Sequence, residues 1–155
     1  MSSKSIALVT GANRGIGLSI ATTLANDGFH VVIASRSGES VKGFDNVQMD
    51  VTSSQSVDDA FALIESKWGI PEVIVCNAGK TKDTLVMRMS DEDFADVLDT
   101  NLTGAFRVAK RAYPYDLHVN EQINGVIIAC SHDGYKRLPG KPMHRRQWHL
   151  QKNSL

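Results

Sequence analysis

Three glycines, Gly11, Gly15 and Gly17, stand in "VTGANRGIG" between an apolar run and a helical pattern, with Asn13 and Arg14 among them. These residue types at this spacing suit an anion. Unpaired backbone N–H groups at a helix N-terminus point outward along the helix dipole and hold negative charge. A glycine lets a phosphate approach without meeting a Cβ. Gly11 would make the turn, Gly15 would allow the approach, and Gly17 would let the helix that carries Ile16 pack close to a sheet. The spacing is G-x-x-x-G-x-G rather than the better-known G-x-G-x-x-G of dinucleotide sites. A second cation, Arg36, follows another apolar run in "SRS" (35–37). Two guanidiniums can clamp a phosphate through charge-assisted hydrogen bonds.

Elements of a definite kind must hold these groups. "SIALVT" (5–10) reads as a strand buried on both faces, and Ile16, Ile20 and Leu24 recur at helical spacing before Gly28, which sits at a helix C-terminus. "HVVIAS" (30–35) and "VQMDV" (47–51) read as the second and third strands. Ser53 or Ser54 caps a helix whose Val57, Phe61, Ile64 and Trp68 share a face. "EVIVCNAG" (72–79) is a fourth strand running into a polar turn. Ser90 opens a long helix with Phe94, Val97, Leu98, Asn101, Leu102, Ala105 and Ala109 on one face, ending or kinking at Pro114. "GVIIAC" (125–130) is the fifth strand. Alternating strands and helices imply an α/β fold: a parallel sheet, order 3-2-1-4-5, with helices on both faces. The pattern stops after Cys130, so the expected sheet is truncated after strand five, with a domain over 1–130 and an irregular, basic tail over 131–155.

Composition narrows the partners. Lys plus Arg and Asp plus Glu number 17 each, which favours no polyanion, so no nucleic acid is expected. Residues 1–130 hold 11 basic and 16 acidic residues and residues 131–155 hold 6 and 1. The basic run "KRLPGKPMHRR" (136–146) reads as a solvated segment. Cys76 and Cys130 end apolar runs and read as reduced, buried thiols. No run reaches membrane-spanning length and no leader is apparent, so a cytoplasmic protein is expected, without a membrane partner. His132, His144 and His149 lack metal-ligand spacing, and no metal is expected.

"TGANRGIG" (10–17), "DV" (50–51), "NAG" (77–79) and "NLTGAF" (101–106) resemble the successive motifs of the short-chain dehydrogenase/reductase family, over about residues 4–130. With "LVMRM" (85–89) and "NLTGAFRVAKRA" (101–112) they are most similar to bacterial 3-oxoacyl-[acyl-carrier-protein] reductases, enzymes of fatty acid biosynthesis. The resemblance implies a Rossmann-type domain that binds NADP(H). It also implies an acyl-carrier-protein thioester as substrate and a homo-oligomer in the intact family. Strand two ends at Ser35 and Arg36, where NAD-preferring domains often place an acid on the ribose 2′-hydroxyl. With Arg14, this favours a 2′-phosphate. By resemblance Asp50 and Val51 hold the adenine edge, and Asn77, Ala78 and Gly79 flank the cofactor. Asn77 could equally be a turn former.

In this family a tyrosine gives the proton to the carbonyl oxygen. A lysine four residues later lowers the tyrosine's pKa, a serine polarises the carbonyl, and an asparagine holds a water in the relay. Asn101 matches the asparagine. Ser131 follows strand five where the serine belongs, although an ungapped comparison of "GVIIACSH" puts His132 there. Four residues beyond Tyr113, Tyr115 and Tyr135 stand Leu117, Val119 and Pro139, so the chain contains no Y-x-x-x-K. The expectation is therefore a cofactor-binding half, inactive alone. The alternatives are a non-catalytic nucleotide-binding fragment or pseudoenzyme, and another short-chain alcohol or ketone reductase.

Overall fold

A computed structural model of the chain describes residues 4–112 and the strand at 126–129. Cys130, Ser131, His132, the segment 131–155, and Tyr113 and Pro114 at the end of the long helix lie outside the described residues. Five strands form one sheet: β1 (Ile6–Thr10), β2 (His30–Ser35), β3 (Asp45–Gln48), β4 (Val73–Cys76) and β5 (Val126–Ala129). Their order is β3-β2-β1-β4-β5 and each neighbouring pair is parallel, as the alternation of apolar runs predicts. β1 is entirely buried because its side chains alternate between two cores. Ile6 and Leu8 join one cluster with Val32, Ile74 and the helix residues Val57, Phe61 and Ile64. Ala7 and Val9 join the other with Val31, Ile33, Val75 and Ala21.

Helix α1 (Gly15–Asn26) covers the second cluster, and α2 (Ser54–Lys67) covers the first. Gly28 ends α1 in the left-handed region at φ +96°, its N–H bonded to Ala25 O at 3.1 Å and that of Phe29 to Leu24 O at 3.1 Å. Ser53 caps α2, its side chain accepting from Ser56 N; Ser54 is the first helical residue.

Two elements differ from the sequence reading. The third strand ends at Gln48, so Asp50 and Val51 lie beyond it. There the Asp50 N–H turns to Ser56 Oγ at 2.9 Å and leaves the ladder. The long helix is not one continuous α-helix. It comprises α3 (Asp91–Leu98), a π-helical turn (Asp99–Thr103) and α4 (Gly104–Ala112). A π turn accommodates an extra residue, and one residue rotates the following face by about 100°. Periodicity carried straight through the turn therefore misses Gly104 and Val108, the buried residues beyond it. Val108, which is not on the face that the spacing picks out, is fully buried, and Gly104 is buried as well. Phe94, Leu98, Leu102 and Phe106 are exposed. No helix among the described residues is long and apolar enough to cross a membrane.

Candidate functional site

The sheet order reverses between β1 and β4. In an open parallel sheet the chain leaves these two strands in opposite directions and opens a crevice at their C-terminal ends. A cleft of about 500 Å³ lies there. It is lined by every residue expected to hold a cofactor: Gly11, Asn13, Arg14, Gly15, Ile16 and Gly17 from the loop, Ser35 and Arg36 after β2, Asp50 and Val51 after β3, and Asn77, Ala78 and Gly79 after β4.

The floor is a stitch between the ends of β1 and β4. Thr10 Oγ1 accepts the N–H groups of Asn77 (3.0 Å) and Ala78 (3.0 Å) and donates to Val75 O (3.3 Å). Asn77 Nδ2 donates to Thr10 O (3.1 Å) and Gly11 O (3.2 Å), which fixes the orientation of the amide. Asn77 is thus a buried clamp rather than a plain turn former. Its Oδ1 is buried and accepts no hydrogen bond among the described residues. Gly17 is placed by the same clamp. A Cβ on it would lie 2.5 Å from Asn77 Nδ2 and 2.6 Å from Gly11 O.

Above this floor the loop offers donors and no acid. Gly11 and Gly15 adopt φ +66° and +60°, a conformation that L-residues rarely take. Arg14 precedes α1 in extended backbone and makes no side-chain cap, and the first turn of α1 carries no acidic residue. The first helical N–H with an acceptor is that of Leu18, bonded to Arg14 O at 3.4 Å. The N–H groups of Gly15, Ile16 and Gly17 are the orphans of a helix start and find no protein acceptor among the described residues. A Cβ on Gly15 would meet nothing within 4 Å, so the space before these amides is open. The donor set therefore fits a pyrophosphate.

At the rim, Asp50 is shaped by Thr52. Its Oδ1 accepts from Thr52 Oγ1 (2.7 Å) and Thr52 N (2.9 Å). These bonds hold its carboxyl below the usual carboxylate range against the opposing effect of burial, and the charges of Arg36 and Lys80 act in the same direction. Arg14 and Arg36 are exposed at the rim. Ser37, Met49, Thr52, Lys80 and Thr100 also line the cleft and were not singled out in the sequence. Of these only Thr52 carried a local signal, since D-x-T lets a hydroxyl close on the carboxylate two residues before it.

Asn101 does not line the cleft. It lies in the π turn and grips the backbone beyond β4, its Oδ1 accepting from Lys80 N (2.8 Å) and its Nδ2 donating to Lys80 O (2.9 Å). Lys80 Nζ in turn pairs with Asp96 of α3. The asparagine that the family resemblance matches to a water relay thus has its side-chain amide bonded to protein backbone. Arg107 of α4 donates to Val51 O at 3.2 Å and pairs with Asp99 at 2.9 Å, so α4 is tied to the far rim as well.

The family model for short chain dehydrogenase matches residues 5–143. The chain belongs to that family. The match runs past residue 130, where the resemblance read from the sequence ends. Relatives of this family member include the 3-oxoacyl-[acyl-carrier-protein] reductase MabA of Mycobacterium tuberculosis, 52% identical over 105 residues, covering 68% of this chain and 42% of MabA. The 3-oxoacyl-[acyl-carrier-protein] reductase FabG of Staphylococcus aureus is 39% identical over 137 residues, covering 81% of this chain and 54% of FabG. The chain therefore spans about half the length of these relatives. Among solved structures, ligand-free aldohexose dehydrogenase of Thermoplasma acidophilum superposes with a TM-score of 0.66 at 32% identity, covering 72% of this chain and 44% of that one. A variant of actinorhodin polyketide ketoreductase with NADPH superposes at 0.64 and 32% identity, over 70% of this chain and 46% of that one.

Proposed function

We propose that this short-chain dehydrogenase chain is the cofactor-binding half of an NADP(H)-dependent reductase of the 3-oxoacyl-[acyl-carrier-protein] type. The observation that carries the reading is the cleft itself: unpaired amides at Gly15–Gly17 beside two arginines, with no acid at the end of β2. The amides would take the pyrophosphate and the guanidiniums of Arg14 and Arg36 the 2′-phosphate. Asp50 presents a carboxylate acceptor to the adenine edge beside Val51. The backbone of Asn77, Ala78 and Gly79 borders the other half of the dinucleotide. When bound, the cofactor supplies the hydride for carbonyl reduction.

The MabA and FabG likeness supports an acyl-carrier-protein thioester as the substrate class, and with it a cytoplasmic, oligomeric enzyme. This chain carries no Y-x-x-x-K to give the carbonyl oxygen its proton. That absence supports a second statement, that the 155-residue chain binds nucleotide without turning over the thioester. General acid catalysis is typically worth about 10²–10⁴-fold.

Fluorescence titration with NADPH and NADH tests the binding. A charge-assisted contact to the 2′-phosphate implies at least about a tenfold preference for NADPH, largely lost in Arg36→Ala. Equal affinities, or a preference untouched by that substitution, would overturn the reading. Acetoacetyl thioester reduction with NADPH should stay at background for the purified chain.

A further inference from the structure

Arg36 and Ser37 do not stand on a free loop. They form the middle of a turn, Ser35–Gly38, that is tied down from the neighbouring strand. Gln48 Nε2 donates to Arg36 O at 3.1 Å, and Asn46 Nδ2 donates to Gly38 O at 2.7 Å. Within the turn the Gly38 N–H bonds to Ser35 O at 3.2 Å and to Ser35 Oγ at 3.2 Å. Gly38 is at φ +66°, and a Cβ on it would come within 3.1 Å of Gln48 Cβ, so the turn lies directly on the Gln48 side chain. The two carboxamides are two residues apart on β3, which places them on one side of that strand. One grips the carbonyl of the arginine itself and the other the carbonyl two residues on.

We infer that Gln48 and Asn46 are positioning residues for cofactor choice, setting the preference for a 2′-phosphate by fixing the turn that presents Arg36. This rests on the NADP(H) reading above. An arginine pays heavily in side-chain entropy to hold one geometry, and a guanidinium is selective only when its fork is aimed. A backbone fixed on both sides of the residue removes part of that ordering from the act of binding. NADH has no 2′-phosphate, so its affinity does not draw on this aim.

The test measures NADPH and NADH affinities on the full chain for wild type, Gln48→Met, Asn46→Ala, Arg36→Ala and the Gln48→Met/Arg36→Ala pair. Gln48→Met keeps the length of the side chain and removes the donor. Loss of one such bond should weaken NADPH by about three- to tenfold and leave NADH within about twofold. In the Arg36→Ala background, Gln48→Met should no longer change the ratio, because its effect passes through that residue. Asn46→Ala should lower the ratio in the same direction and serves if Gln48→Met is poorly folded. A merely structural role would weaken both cofactors alike, and that outcome, or an unchanged ratio in both variants, overturns the inference alone. A wild type that does not distinguish the two cofactors overturns the NADP(H) reading and the inference with it.

Discussion

Asp50 and Asn101 show how single side chains set the rim of the cleft. Thr52 is the main cause of the low Asp50 pKa. A carboxyl with a folded pKa below its unfolded value adds stability that is fully present above the unfolded value, 3.8 for an ordinary aspartate, and is lost as pH falls through the folded value. Thr52→Val should therefore raise the Asp50 pKa towards its unfolded value and shrink the stability that is lost on acidification. A carboxyl ¹³C NMR titration reads the first and urea melts below pH 5 the second. An unmoved Asp50 would show that the hydroxyl is not its main determinant. Asn101→Ala removes a donor and an acceptor from the Lys80 backbone at once. The expected cost is about 1–2 kcal/mol, with faster amide exchange at Lys80. Asn101→Asp keeps the acceptor and should fall between the two.

At the level of elements, close contacts assign the glycines different burdens. A Cβ on Gly17 would strike Asn77 Nδ2 and Gly11 O, and one on Gly104 would lie 2.8 Å from Val51 Cγ2. One on Gly28 would meet nothing within 4 Å, leaving only the strain of φ +96°. Gly17→Ala should thus cost most, at the upper end of the roughly 1–3 kcal/mol typical of overpacking, and Gly104→Ala somewhat less because a valine side chain can yield. Gly28→Ala should cost about 1 kcal/mol. Urea denaturation of the three variants gives the ranking. Gly17 was legible beforehand, because a glycine at the first turn of a helix after a buried strand has one obvious use. The strand order was legible too, since apolar runs and helical spacings alternate from Ile6 to Ala112 except between β2 and β3, where no helix intervenes. The π turn was not. Asp99–Thr103 contains no proline or glycine to announce it, and the partner of its Asn101 side chain, the Lys80 backbone, lies 21 residues away. The grip of Gln48 and Asn46 was equally hidden, because alternation along β3 says which side a residue occupies and nothing about the loop that will lie over it.

Across the described residues the sheet is well filled and one flank is poorly covered. Phe61, Leu8, Ile33 and Ile64 are almost fully buried, each contributing about 1.5–3 kcal/mol. Phe94, Leu98, Leu102 and Phe106 follow one another every four residues and remain 40–66% exposed, with Leu85, Val86 and Met87 exposed as well. A run of that size favours association. Sedimentation of the chain should show mass rising with concentration, and Leu102→Ser with Phe106→Ser should reduce it while Val108 keeps α4 in place. A wild type that remains monomeric across the range would show that this flank is covered.

The stitch from Thr10 to Asn77 also has a consequence in time. The two residues lie 67 positions apart, and β1 must pair with both β2 and a strand that is synthesised much later. A ribosome adding about 5–20 residues per second exposes the glycine loop several seconds before the clamp that fixes its floor. During that interval the loop can turn and α1 can form against β1 and β2, but nothing holds Gly11 in register with Ala78. Non-local closure of this kind is slow relative to local helix formation. Competence to hold a nucleotide therefore trails the emergence of its most recognisable motif by the time it takes to make and dock β4.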